Sequence, residues 1–128
     1  MKERKMKDFK LIDSSVWIAY MTKKLYLDII NSEDTLLLST LSIFEIKKKL
    51  TNDNIPKIKI DENIKFIKER CILIPVTTEI AEEAVNISTE NHIPAIDSLI
   101  YATARSNNAV IITLDNDFRN LKGATILD

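Results

Sequence analysis

The sequence predicts an α/β fold, a three-layer sandwich around a central parallel sheet of four or five strands. Two observations predict it. The strand-like segments are short and apolar on both faces, as FKLID, TLLLST, CILIPV and AVIIT show, which is how strands covered on both sides read. Segments of helical character separate them, as crossovers between parallel strands require. Internal repeats, low-complexity tracts and long linkers are absent. Residues 1–128 are therefore expected to form one domain, long enough to bury a core.

The elements follow in order. FKLID (9–13) reads as the first strand. SSVWIAYMT continues as a helix, with Asp13 or Ser14 as its cap. Trp17 on this helix suits packing or an interface. KKLYLDIINS (23–32) reads as a second short helix, and TLLLST (35–40) as a strand. LSIFEIKKKLTND (41–53) is a helix ending in a polar break. A further helix lies within 56–70, its start unmarked. CILIPV (71–76) is a strand in which Cys71 reads as a small core residue. TTEIAEEAVNISTENH (77–92) is a helix capped by Thr77 or Thr78. Pro94 opens the next helix as a first-turn proline, and that helix runs to about Asn108. AVIIT (109–113) is a strand, LDNDFRNL a turn and short helix, and ATILD (124–128) a final strand.

Composition excludes several functions. A single cysteine allows neither an intramolecular disulfide nor a cysteine zinc site. Only one glycine occurs, Gly123, so a glycine-rich phosphate loop, a dinucleotide fingerprint and a Walker loop are all missing. His92 is the only histidine; it reads as a core or helix-capping residue and leaves a histidine-based triad one possible base. No apolar run reaches the length of a membrane span, and MKERKMKDFK is not followed by a signal-type segment. No membrane partner is expected, and the chain is expected to be cytoplasmic. The net charge is −1, but basic residues cluster at Lys2, Arg4, Lys5 and Lys7, at Lys47–Lys49, and at Lys57, Lys59, Lys65, Lys68 and Arg70. These read either as solvated helix faces or as a rim that holds phosphates.

The acids carry more information. Open parallel sheets bind ligands beyond the carboxyl ends of their strands, where the strand order switches. Asp13 ends the first strand, Asp115 and Asp117 follow AVIIT, and Glu45 sits on the helix after the second strand. In IPAIDSLIYATA (93–104), Asp97 shares a helical face with Ile93, Ile100 and Ala104. That face, with Ile96, Leu99 and the alanines as packing residues, carries an inward acid. Local explanations exist for the others. Asp13 could cap a helix, Asp115 and Asp117 could form an Asx turn, and Glu45 could pair with Lys49. If the first strand and AVIIT are neighbours, one shared site explains all of them. Two carboxylates about 5 Å apart repel by roughly 3 kcal/mol at an effective dielectric of about 20. Such a cluster calls for a cation, and an all-oxygen set suits Mg²⁺ or Mn²⁺ rather than zinc.

Together LIDSS, SIFEI, AIDSLIYATA and ITLDNDF resemble the PIN domain family, most of all its small VapC-type toxins, in order and spacing over about residues 9–128. The family's D-[TS]-S matches Asp13, Ser14 and Ser15; its helical Glu matches Glu45. Its A-x-D-x-x-I-x-A-T-A matches Ala95–Ala104, and its T-x-D-x-D-F matches Thr113, Asp115, Asp117 and Phe118. Ser14 stands where Thr is commoner and keeps the hydroxyl. The resemblance implies strand order 3-2-1-4-5, a metal-dependent endoribonuclease, a homodimer, and a cognate antitoxin that blocks the active site. On this reading Asp13, Asp97 and Asp115 bind one or two Mg²⁺ or Mn²⁺ ions, and Glu45 helps to hold the metal and orients the attacking water. Asp117 is an outer ligand, while Ser14 and Thr113 position carboxylates or substrate phosphate. A non-catalytic module that binds RNA or protein, and a housekeeping RNA-processing nuclease, fit the same residues. A phosphatase of the haloacid dehalogenase type does not, because Ser15 stands two positions after Asp13, where that class has an acid.

Overall fold

A computed structural model describes residues 9–128; the basic cluster Lys2, Arg4, Lys5 and Lys7 lies outside them. Five parallel strands form one sheet: β1 (Phe9–Ile12), β2 (Thr35–Ser39), β3 (Cys71–Ile74), β4 (Val110–Thr113) and β5 (Ala124–Ile126), in the order 3-2-1-4-5. That is the order the resemblance implies. β1 pairs with β2 on one side, Leu11 opposite Leu37, and with β4 on the other, Ile12 opposite Ile112. The first strand made is thus the central one, and the order switches beside it.

The alternation of side chains along the strands divides the core in two. Ile12, Leu36, Leu38 and Ile112 face a layer built from α1 (Ser14–Lys23), α2 (Leu27–Ile30), α3 (Thr40–Asn52) and α4 (Lys57–Arg70). Leu11, Leu37 and Ile111 face α5 (Thr78–Asn91) and α6 (Ala95–Ser106). Trp17 is fully buried in the first layer, edge-on to Tyr20 and Phe66, so it is a packing residue. Cys71 is buried as well, and burial pushes its thiol up to about 12; it presents no reactive thiolate at neutral pH.

Several boundaries differ from the sequence reading. The helix expected over 23–32 is only Leu27–Ile30, because α1 runs on to Lys23 and the chain then turns through left-handed Lys24 and Tyr26. Neither is a glycine, so no composition signal marks this turn. β3 stops at Ile74, where Pro75 has no N–H to donate to a ladder. α4 begins at Lys57, after Pro56 at its N-cap. Thr77 caps α5, its hydroxyl accepting from the Ile80 N–H at 3.2 Å. Pro94 occupies the N-cap of α6 rather than its first turn. Ile96, expected to pack, is 43% exposed; it lies on the opposite side of the helix from buried Ser98 and Ala102. His92 takes the left-handed position that ends α5 and is exposed.

Arg70 belongs to the scaffold rather than to a basic rim. Its Nε donates to the Ile30 carbonyl at 2.6 Å, and one Nη reaches Ser32 O at 2.8 Å and Asp34 O at 3.3 Å. It ties the end of α4 to the turn before β2. Gly123 precedes β5 at φ +79°, and a Cβ there would meet the Arg105 guanidinium at 2.4 Å. The one glycine of the chain therefore stands where the backbone conformation requires it, and a side chain there would also have to displace the Arg105 guanidinium.

Candidate active site

Three of the five strands end where an acid is needed. β1 stops at Ile12, and the backbone N–H of Asp13 still reaches across to Ile112 O at 3.0 Å. This aims the Asp13 side chain into the gap between β1 and β4. β4 ends at Thr113, and Asp115 follows on the bend before a 3₁₀ turn (Asn116–Phe118). β2 runs directly into α3, which carries Glu45. Asp97, in the first turn of α6, enters from the other helical layer.

Asp13 occupies the N-cap position of α1 but makes no side-chain cap bond. Its Oδ2 instead accepts from Ser15 Oγ and Thr113 Oγ1, each at 2.8 Å. Ser15 Oγ in turn accepts from the Leu114 N–H at 3.0 Å, and Thr113 Oγ1 from the Asp115 N–H at 3.0 Å. Two hydroxyls thus fasten the β1 acid to the loop after β4. Asp13 is 6% exposed and Thr113 fully buried, so this fastening is shielded from water. Ser15 was singled out in the sequence only as part of a motif. Its position two residues after Asp13 was the one available signal, because its second partner lies 99 residues away.

The other acids crowd the same end of the sheet. Asp97, Asp115 and Asp117 each offer a carboxylate oxygen, and these atoms lie within 4.8 Å of one another. Asp115 Oδ1 also accepts from the Asp117 N–H at 2.9 Å, so the Asx-turn explanation holds for it and is compatible with a shared site. Burial, then the charges of Asp115, Asp13 and Asp117, push the Asp97 carboxyl up to about 7. Glu45 is raised by burial and by the charges of Asp13 and Asp115, against a hydrogen bond from Ser14 Oγ at 3.3 Å that lowers it. The Glu45–Lys49 pair does not form; Lys49 bonds Asp53 at 3.3 Å. The structure therefore brings Asp13 and Asp115 within electrostatic reach of both Glu45 and Asp97, with Asp117 beside Asp97 and Asp115. Ser14 and Thr113 stand as hydroxyl donors to Glu45 and Asp13.

The donor set fits a hard divalent cation. It offers carboxylate oxygens from four separate segments and no thiolate or imidazole. The upward shifts of Asp97 and Glu45 come first from burial and then from the neighbouring carboxylates.

A parallel sheet with an acidic cluster beside the switch in its strand order puts the candidate site where open α/β sheets bind their ligands. The chain belongs to the PIN domain family, whose family model matches residues 10–124. Among solved structures, a toxin–antitoxin complex from Klebsiella pneumoniae is similar at TM-score 0.75 and 19% identity, over 91% of this chain and 95% of that one. VapBC2 from Rickettsia felis, bound to a DNA fragment from its promoter, is similar at 0.76 and 15%, over 93% and 97%. The Mycobacterium tuberculosis toxin VapC20, described as cleaving the sarcin–ricin loop, is similar at 0.70 and 14%, over 89% and 95%. No curated protein matches the chain in sequence. At these identities the structural likeness establishes the fold. No helix among the described residues is long and apolar enough to cross a membrane.

Proposed function

We propose that the chain is an endoribonuclease that hydrolyses RNA phosphodiester bonds with Mg²⁺ or Mn²⁺, and that it is the toxin of a toxin–antitoxin pair. The observation that carries the reading is the convergence of Asp97, Asp115 and Asp117 with buried Asp13 at the β1–β4 switch. The toxin assignment is supported by the fold shared with VapC20 and with chains of two toxin–antitoxin assemblies. A cytoplasmic homodimer with a cognate antitoxin accompanies that assignment.

In the proposed mechanism Asp97, Asp115 and Asp117 would hold one or two ions, with Asp13 and Glu45 completing the set. When bound, the cation supplies Lewis-acid stabilisation of the phosphoryl charge and a more acidic water than bulk solvent provides. The residues of the chain supply position and charge. Ser15 and Thr113 fix the Asp13 carboxylate, so it does not reorganise during reaction. Glu45, raised from its ordinary value by burial and by Asp13 and Asp115, orients the attacking water and accepts its proton. Ser14 holds Glu45 toward the site. Cleavage would leave a 5′-phosphate and a 3′-hydroxyl.

The test is cleavage of single-stranded RNA by the purified chain with Mg²⁺ or Mn²⁺, against a chelated control and Asp97→Asn. Cleavage that needs the cation and disappears in the folded variant supports the reading. A wild-type chain that leaves RNA intact with either ion, or a folded variant that cuts normally, overturns it.

A further inference from the structure

The segment SIFEIKKK places an aromatic ring directly before Glu45 and two lysines three and four residues after that ring, on the same helical face. In the fold Phe44 is 66% exposed. Lys48 Nζ lies 5.8 Å from the ring centroid, within cation–π range. The ring borders an open hollow of about 350 Å³ lined by Leu41, Glu45, Lys48 and Ile96. Glu45 forms one wall, so the hollow adjoins the carboxylate site. The exposed Ile96 is accounted for in the same place: it faces this hollow from α6.

A second depression on α3 is bordered by Phe44, Lys47 and Lys48. Lys47 also borders a third depression with Lys65 and Lys68 of α4, in which Asp61 and Glu69 stand as well. Among the described residues, Lys47, Lys48, Lys65 and Lys68 form no ion pair, whereas Lys49 and Lys57 are engaged by Asp53 and Asp61. A line of lysines without ion-pair partners thus leads away from the acids, with one aromatic ring at its head and Lys48 over that ring. An apolar helix seated here would leave Lys47 and Lys48 without counter-charge. A nucleic acid strand supplies both a π-face and phosphates.

We propose that Phe44 is a stacking platform for a nucleobase of single-stranded RNA next to the bond to be cut, with Lys48 and Lys47 holding the phosphates of the same strand. The proposal rests on the ribonuclease reading and adds to it the form of the substrate, an unpaired strand with a splayed base. Every base has a π-face, so the platform contributes affinity and register rather than base identity. The lysines offset locally the repulsion that the acids exert on a polyanion.

The probe is a short single-stranded oligoribonucleotide carrying, at each position in turn, a fluorescent adenine analogue whose emission falls when it stacks. With the wild-type chain, emission falls at one or two adjacent positions. Phe44→Ala abolishes that fall and weakens binding roughly 5- to 150-fold, while Phe44→Trp retains both. Lys47→Ala and Lys48→Ala each lower the salt dependence of binding by about one counterion. In cleavage assays Phe44→Ala raises KM more than it lowers kcat. The ring is exposed, and circular dichroism confirms that each variant folds. Unquenched emission with wild type, or Phe44→Ala binding as tightly as wild type, overturns the proposal. So does a Phe44→Ala chain that loses only a protein partner, because the face then serves that partner. An oligonucleotide that stacks on Phe44 but stays uncut with Mg²⁺ and Mn²⁺ sinks the ribonuclease reading and leaves the platform standing. Normal cleavage by Phe44→Ala with unchanged affinity does the reverse.

Discussion

The two sides of the acidic cluster are built differently. On the β1 side, Asp13 is buried and receives two short hydroxyl bonds, from Ser15 and Thr113. On the α6 side, burial and then the charges of Asp115, Asp13 and Asp117 drive the Asp97 carboxyl up to about 7. One carboxylate has its charge distributed over neutral donors. The other has its charge opposed by its neighbours. A buried acid is tolerated in either way, but only the second leaves a demand that a cation satisfies. The site thus pairs a preset half with an electrostatically unfinished half.

Breaking the unfinished half should have the largest effect. Asp97→Asn lowers RNA cleavage by at least about 100-fold, since even groups that merely support metal ligands cost 10- to 100-fold. The same substitution raises the melting temperature of the chelator-treated protein at pH 8, because it removes a charge that burial and the neighbouring acids disfavour. Loss of activity together with gain of metal-free stability separates this residue from a structural one. Thermal melts in chelator and single-turnover cleavage give the two readouts.

Breaking the preset half should cost activity and stability together. Thr113→Val leaves Asp13 short of a donor and the Asp115 N–H without its acceptor. It should destabilise the fold by about 1–3 kcal/mol and reduce metal affinity roughly 10- to 100-fold. Denaturant unfolding and calorimetric titration with Mn²⁺ report the two effects.

The pH dependence sharpens the contrast. The folded Asp97 binds its proton more tightly than the unfolded chain does, so between its ordinary value of 3.8 and about 7 the folded state holds more protons. Stability of the metal-free protein therefore falls as pH rises through this window. Glu45 is raised too and contributes in the same direction. A divalent cation competes with the proton, so saturating Mn²⁺ should flatten the trend and bind more tightly at pH 8 than at pH 6. A metal-free melting temperature that climbs steadily from pH 5 to pH 8 contradicts the assignment. The smallest effect belongs to Ser14→Ala, which removes one 3.3 Å bond to Glu45. Cleavage should drop by about 10-fold with no measurable change in melting.

Much of this contrast could be read from the sequence, and the missing part has a physical reason. The short apolar runs gave the strands, because a covered parallel strand needs nothing else. Their order came from the motif resemblance, since no local pattern records which strand lies beside which. The acids were legible as a set because each follows a strand or enters from a helix end. The inward placement of Asp97 was legible from helical spacing, whereas Ile96 on the same helix was misjudged: hydrophobicity alone does not tell a packing residue from one facing a hollow. The hydroxyl fastening was not legible. Ser15 and Thr113 act through partners about a hundred residues away in the chain, and such pairs exist only once the sheet has closed. The turn at Lys24 and Tyr26 was missed because lysine and tyrosine adopt the left-handed region there without a sequence marker.

The central position of β1 bears on how the molecule is made. A growing chain can lay β2 against β1 and then β3 against β2 as they emerge, in sequence order, and bury the α1–α4 layer. It lacks Thr113, Asp115 and Asp117 until β4 arrives on the opposite edge. Until then Asp13 has only the nearby Ser15 to hold it, and the acid cluster is incomplete. The acid site, and with it any chemistry the site performs, is therefore completed only when one late strand joins the sheet.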